Sequence, residues 1–359
     1  TGALLAFEPQ IKAFVERDAR TVAAPPDAVR LSPQSLIEKV RTAKPDAKPS
    51  SLIIQNNPNA AAVVANGRAG NLYVNPYTGE VTGESSKSAN AFFGFLTDAH
   101  RGLALGSENY VIGRAITGAC NVAFLFLAIS GLYIWFPRKL TWRHLKPIAV
   151  LKLNVTGRAR DFNWHNTIGF WTSLVLIVLT LTAVVISYQW ASNLVFVLTG
   201  NEIPAPQNQQ RPPNAEQQQP IIPANINDLW SRAESQAGNW KSINLRFPAQ
   251  QTAPIVFAID EGKSWNVFGR SQLTLDAKTS EVVKWETYNE QNWGRKLRSW
   301  FRFTHTGETG GIIGQIIAFL ACIGGAFLVY TGFSLSLRRF RAWLLRRSKA
   351  RTKPQTEHV

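Results

Sequence analysis

Five histidines stand among 359 residues, and two of them precede long apolar runs. His305, in "FRFTHTGETGG" (301–311), comes just before residues 311–337, which carry no charge in 27 positions. His100, in "FLTDAHRGLALG" (95–106), precedes the apolar stretch 115–136. His165, in "FNWHNTIGFW" (162–171), opens a third such stretch, 167–190. Neutral imidazole is a metal ligand through either ring nitrogen. Two of them on two helices can fill both axial positions of a haem iron. Arg101 beside His100, and Arg298 and Arg302 before His305, would then meet haem propionates through charge-assisted hydrogen bonds. Glycines 307, 310, 311 and 314 would let a flat macrocycle approach the backbone. A plainer reading has interfacial histidines satisfied by water or headgroups, with the arginines on anionic lipid. A zinc or non-haem iron site would need more His, Cys, Asp or Glu side chains converging.

The elements that must position these residues are membrane helices. A bilayer core of about 30 Å takes about 20 helical residues. Ala115–Phe136, Thr167–Trp190 and Gly311–Leu337 are each long and apolar enough. "TGALLAF" (1–7) reads as the end of a further apolar helix whose start lies before Thr1. Of the net charge of +16, segment 137–164 carries +6 and segment 338–359 carries +7. Such short basic stretches abutting apolar helices mark cytoplasmic loops. A groove for nucleic acid would instead spread that charge over a folded surface. The expected topology puts segments 8–98 and 191–300 outside the cytoplasm, and Trp135, Phe136, Tyr188 and Trp190 at interfacial levels. His100 and His305 then share the outer face. His165 lies at the inner end and needs its own partner, either His144 of the inner loop or a residue of the missing start of helix one. Cys120 and Cys322 fall inside apolar helices and fit neither a CxxC nor a CxxCH pattern.

The two outer segments resemble each other. "SPQSLIEKVRTAK" (32–44) predicts a Ser-capped helix, and "SLIIQ" (51–55), "AAVVANG" (61–67) and "NLYVNPYTGEVTGE" (71–84) predict strands with a tight turn. After the Pro- and Gln-rich stretch 201–220, "NINDLWSRAESQAG" (225–238) predicts a helix. "KSINLRF" (241–247), "PIVFAID" (254–260) and "SQLTLDAKTSEVVKWE" (271–286) predict strands. "LYVNPYTGEV" (72–81) lies over "LTLDAKTSEV" (273–282), so one small α+β module is used twice. Ser280 replaces Gly79 in the second copy, which suggests a different turn there, because Ser does not readily adopt positive φ.

Five motifs in order resemble the PepSY-associated transmembrane proteins of bacterial iron uptake. They are "TGALLAFEPQI" (1–11), "VNPYTGEV" (74–81), "DAHRGLALG" (98–106) with "SGLYIWFPR" (130–138), "NWHNTIGFW" (163–171), and "THTGETGGIIGQ" (304–315) ending in "YTGFSLSLRR" (330–339). The fourth resembles the family's "LHRxLGxW" opening with Asn166 in place of Arg. The resemblance implies a four-helix transmembrane bundle, its first helix truncated here, with two periplasmic α+β PepSY-like modules. The implied division is helix one to residue 7, module one over 8–98, and a haem-ligand segment with helix two over 99–136. An inner loop (137–164), helix three (165–190) and a linker (191–224) follow. Module two (225–300), a ligand segment with helix four (301–337) and a basic tail (338–359) complete it. The resemblance further implies an inner-membrane reductase with two bis-His haems b. One is held by His100 and His305. The other is held by His165 and a ligand in the missing N-terminus. Electrons would pass from a cytoplasmic or quinol donor to a ferric siderophore in the periplasm. The alternatives are a non-catalytic membrane regulator of a peptidase, without cofactor, and a haem reductase of a flavin or copper.

Overall fold

The computed structural model describes residues 1–139, 141–204, 220–262 and 268–351. Most of the Pro- and Gln-rich stretch and the end of the basic tail, with His358, lie outside the described residues. In chain order the helices are α1 (Gly2–Leu5), α2 (Glu8–Val15), α3 (Arg17–Arg20), α4 (Pro33–Ala43), α5 (Lys87–Gly102), α6 (Gly106–Trp135), α7 (Trp142–Ala149), α8 (Gly157–Ser187), α9 (Gln189–Leu198), α10 (Ile226–Ala237), α11 (Trp293–His305) and α12 (Gly311–Arg351). The strands are β1 (Ser51–Gln55), β2 (Ala62–Ala65), β3 (Asn71–Val74), β4 (Val81–Glu84), β5 (Ser242–Arg246), β6 (Ile255–Asp260), β7 (Ser271–Leu275) and β8 (Val282–Glu286). The chain divides into a helical unit (Thr1–Ala6, Thr97–Ala191, Phe301–Val359) and a sheet unit (Phe7–Leu96, Ser192–Trp300).

In the helical unit, three segments are long and apolar enough to cross a membrane: Gly106–Ile134, Gly157–Ser187 and Glu308–Ser348. The middle of the three, α8, packs against α6, α7 and α12. Without a hydrophobic drive between helices in lipid, close approach depends on small residues. A Cβ on Gly324 would crowd Thr172 and Ile168 of α8, and one on Gly325 would meet Leu176 and Phe124. Helix α8 starts at Gly157, so residues 157–164 are helical and not loop. That start is held by Asp161, whose carboxylate is 1% exposed. It accepts from Arg160 at 2.9 Å and, across to α12, from Ser334 at 2.7 Å and Arg338 at 3.2 Å. Buried carboxylates require such partners.

Segment 99–136, expected to hold a ligand segment and helix two, contains the end of α5 and the whole of α6. Leu103 and Ala104 have φ of 58° and 53°, left-handed values that break the chain between α5 and α6. The end of α5 then lies on α6. A Cβ on Gly113 would collide with the carbonyl of Gly102, and Thr117 Oγ1 donates to the carbonyl of Arg101 at 2.9 Å.

The sheet unit confirms the internal duplication element by element. The two copies are not separate modules, however. They form one antiparallel eight-stranded sheet of order β4-β3-β2-β1-β5-β6-β7-β8. The seam pairs β1 with β5, Ile53 opposite Asn244. Alternating burial along β1 and β5–β7 aims Leu52, Ile54, Ile243, Leu245, Phe257, Ile259, Leu273 and Leu275 to one face. There α4 and α10 bring Leu36, Ile37, Val40, Leu229, Trp230 and Ala233 to the same core. Ser32 caps α4 by accepting from the Ser35 amide at 3.2 Å.

The Ser280 turn does not differ from the Gly79 turn, contrary to expectation. Ser280 has φ 58° and Gly79 φ 75°. In one copy Asn75 Oδ1 accepts from the amides of Tyr77 and Thr78. In the other, Asp276 Oδ1 accepts from those of Lys278 and Thr279. Asn225 Nδ2 also donates to Ser280 Oγ at 3.0 Å. Two side-chain bonds from the first turn residue and one to the serine itself hold a conformation that costs a non-glycine residue about 1–2 kcal/mol.

Glu16, between α2 and α3, has a side chain only 2% exposed. Burial alone would raise its pKa. Hydrogen bonds from Arg20 (2.6 Å), Tyr73 (2.7 Å) and the Ser86 amide (2.9 Å) outweigh that and hold it below the ordinary glutamate value. Burial and this carboxylate push the Tyr73 hydroxyl up to about 12, so it stays a donor. A depressed carboxylate stabilises the fold above its unfolded value, about 4.3, and that contribution disappears as pH falls through the lower folded value. Melting of the sheet unit, followed by circular dichroism, should therefore drop below about pH 4. In Glu16→Gln that drop should shrink.

Candidate functional site

The last turn of α5 and the last residue of α11 bring two imidazoles together. The ring centres of His100 and His305 are 6.2 Å apart and their planes are inclined by 39°. Both belong to the helical unit. His305 Nδ1 lies 2.9 Å from the carbonyl oxygen of Leu179 on α8, with Thr182 Oγ1 at 3.4 Å. A carbonyl only accepts, so Nδ1 carries the proton and Nε2 is left with a lone pair. His100 Nδ1 is 3.1 Å from Thr1 Oγ1, and Gly2 approaches the same ring. Among the described residues neither Nε2 is hydrogen-bonded. Burial, then the neighbouring His305, lowers the His100 pKa to about 4. Burial also lowers that of His305, against the opposing effect of the Leu179 carbonyl. Both rings are neutral at pH 7, the state in which imidazole ligates a metal.

The donor set can be tested against candidate groups. Among the described residues no three His, Cys, Asp or Glu side chains converge on a point, so a site built wholly from protein ligands has no basis here. A haem asks for only two protein ligands. An iron bound at about 2 Å to each of two imidazoles, with ~1 Å more from each nitrogen to its ring centre, sets the centres roughly 6 Å apart. The separation and the two free Nε2 atoms fit that requirement.

The remaining expected residues fall as follows. Arg101 and Arg302 are exposed next to the pair in sequence. Arg298 belongs to the sheet unit, where its Nε donates to Ser192 Oγ at 2.9 Å. Of the glycines after His305, Gly307 (φ 78°) and Gly314 are consumed by packing on each other, since a Cβ on Gly314 would strike the Gly307 carbonyl. Gly310 and Gly311 have open space. His165, on α8, has Nδ1 2.9 Å from Thr331 Oγ1 of α12. Thr331 gives its hydroxyl hydrogen to the Phe327 carbonyl at 2.7 Å, so it accepts from His165 and frees that Nε2 also. Gly332 lets α12 come close to the ring. His144 sits in the first turn of α7, its Nδ1 2.6 Å from Thr141 Oγ1.

Three histidines in or just before the spanning helices, each with a hydrogen bond at Nδ1, accompany a distinctive order of parts: apolar helix, α+β repeat, two helices, α+β repeat, helix. A model of the PepSY-associated TM region matches residues 1–339. The chain belongs to the PepSY-associated TM region family. The PepSY-associated match takes in His100, His165 and His305 together with every strand of the sheet unit. No curated protein matches the chain. Leu179, Thr182 and Thr331, which orient the imidazoles, carried no signal beyond being hydroxyls or ordinary leucine in apolar runs. A lone Thr in a membrane helix more often donates to its own backbone four residues back, and both of these threonines do that as well.

Proposed function

We propose that this PepSY-associated membrane protein is an inner-membrane haem b reductase that passes electrons from a cytoplasmic or quinol donor to a ferric siderophore in the periplasm. The observation that carries the reading is the neutral His100–His305 pair with both Nε2 atoms free at 6.2 Å centre to centre. His100 and His305 would hold the outer haem and His165 the inner one. Arg101 and Arg302 would take propionates. Bound haem would supply one-electron transfer, its potential set by its axial ligands and their hydrogen bonds. His100 and His305 would both be engaged in holding the haem, so a ferric chelate would be reduced without binding the haem iron. One electron then converts Fe(III) to Fe(II), which holds hard oxygen ligands less tightly and is released. The basic segments 137–164 and 338–359 support an orientation with the sheet unit in the periplasm, where it offers the docking surface. In this reading α1 belongs to the first helix of a four-helix bundle.

The test is a turnover assay. Dithionite-reduced protein in liposomes, mixed with a ferric siderophore and ferrozine, should reoxidise as the ferrous complex forms. Reduced protein that never passes electrons to any ferric chelate would remove the siderophore assignment. A colourless folded protein would favour the regulator instead. A smaller effect follows from Thr331. Partners that orient metal-ligating histidines typically contribute about 10–100-fold in affinity. Thr331→Val should weaken retention of the inner haem by that order, read as haem per chain by pyridine haemochrome, with the outer haem kept.

A further inference from the structure

Helix α9 is apolar on two opposite faces. Ala191, Val195 and Phe196 are buried. Trp190, Leu194, Val197 and Leu198, spaced i, i+4, i+7 and i+8, are 62, 45, 58 and 77% exposed. This spacing makes a continuous stripe along one side of a helix. A surface helix in water sets charged residues on that side, yet α9 has no charged residue at all. Covalent geometry limits where it can go. Only Tyr188 separates α9 from the end of spanning helix α8 at Ser187, and one extended residue reaches at most about 3.5 Å. The helix therefore begins at the level where α8 leaves the apolar layer.

Its partner in the sheet unit, the first part of α11, is amphipathic and basic, with Arg295, Lys296 and Arg298. Helix α11 lies along α9, with Arg298 on Ser192 and with Gly294 so close to the Phe196 ring that a Cβ there would collide. Asn201 Oδ1 accepts from the Gly294 amide at 2.8 Å and closes the pair. Trp293, at the start of α11, is 70% exposed and carries Lys296 Nζ 5.1 Å from its ring centre. Tryptophan with lysine is the pairing favoured at the headgroup level.

We propose that the stripe of Trp190, Leu194, Val197 and Leu198 lies in the headgroup–acyl boundary of the bilayer, on the side where α8 ends. It makes α9 an in-plane anchor of the kind that buries its apolar face about 5–10 Å into that boundary. The occupant of this surface is lipid, and the inference is independent of the reductase reading.

Site-directed spin labelling of the full chain in liposomes tests it. In a Cys120→Ser, Cys322→Ser background, a nitroxide is placed at Val197→Cys, with Leu198→Cys as a second reporter on the same stripe. Val29→Cys, at a residue 88% exposed in the sheet unit, is the aqueous control. Oxygen partitions into the bilayer and a nickel chelate stays in water. Power saturation should give an oxygen effect above the nickel effect at 197 and 198, and the reverse order at 29. A nickel effect above that of oxygen at 197 and 198 would place the stripe in water and overturn the proposal. So would a label relaxed by neither reagent, since the stripe would then be covered by protein, as in an interface between two copies.

Discussion

His305→Ala should remove the outer haem absorbance and stop ferrous release from a ferric siderophore, while the inner haem remains reducible. The two sites share no ligand: His305 and His100 form one pair, and His165 is turned toward Thr331. Losing a ligand exceeds the about 10–100-fold that an orienting partner contributes, so the outer site should be empty and not merely weakened. The bulk fold should persist, because His305 ends α11 and is followed by a break at Gly307 before α12. Haem counted per chain should fall by one. A variant that loses the outer haem yet still reduces the chelate at the normal rate would place the exit site elsewhere.

The second large effect concerns the sheet unit. Phe257 is fully buried at the centre of β6 and meets the Trp230 ring edge-on at 6.0 Å. Phe257→Ala in such a core costs about 3–5 kcal/mol, by lost transfer energy and the cavity left behind. That approaches the whole stability of a marginal domain, about 5–15 kcal/mol. The β signal in circular dichroism should melt well below that of the parent protein. All three histidines that would ligate haem lie in the helical unit, so the haem spectrum should survive at temperatures where the sheet has melted, and siderophore reduction should not. Loss of the haem bands together with the sheet would mean that the ligands depend on it.

Much of the sheet unit was legible because its strands obey a period of two. "SLIIQ" (51–55) is β1 to the residue, and "PIVFAID" (254–260) is β6 with one residue trimmed. The duplication was legible through the turn, where Thr78 and Thr279, and Glu80 and Glu281, coincide. The seam between β1 and β5 was not, since no local pattern says which edge of one copy meets which edge of the other. The conformation of Ser280 was misread from the residue type, because the stabilising bonds come from Asp276 and from Asn225, 55 residues away. In the helical unit, apolar length announced the spans, and Gly102 and Gly106 flank the break, but the left-handed residues themselves are Leu103 and Ala104, whose types do not signal it. Helix α9 was assigned to a linker because it follows a spanning run and precedes the Pro- and Gln-rich stretch. Its second apolar face shows only when both sides are seen.

The pairing of His100 with His305 was read from their matching places before two apolar runs, and the structure brings them together. Which nitrogen each ring offers was not legible, because the Leu179 carbonyl and Thr331 lie on other helices. The Leu179 bond leaves Nε2 of His305 with the lone pair that ligation needs.

The visible spectrum of the purified protein bears hardest on that pair. Two neutral imidazoles on one iron make a low-spin haem b, with a Soret band that shifts on dithionite reduction. The Soret band should be altered in His100→Ala and in His305→Ala. A well-folded preparation with no Soret band, or one whose spectrum is unchanged when both histidines are replaced, would contradict the assignment of His100 and His305 as haem ligands.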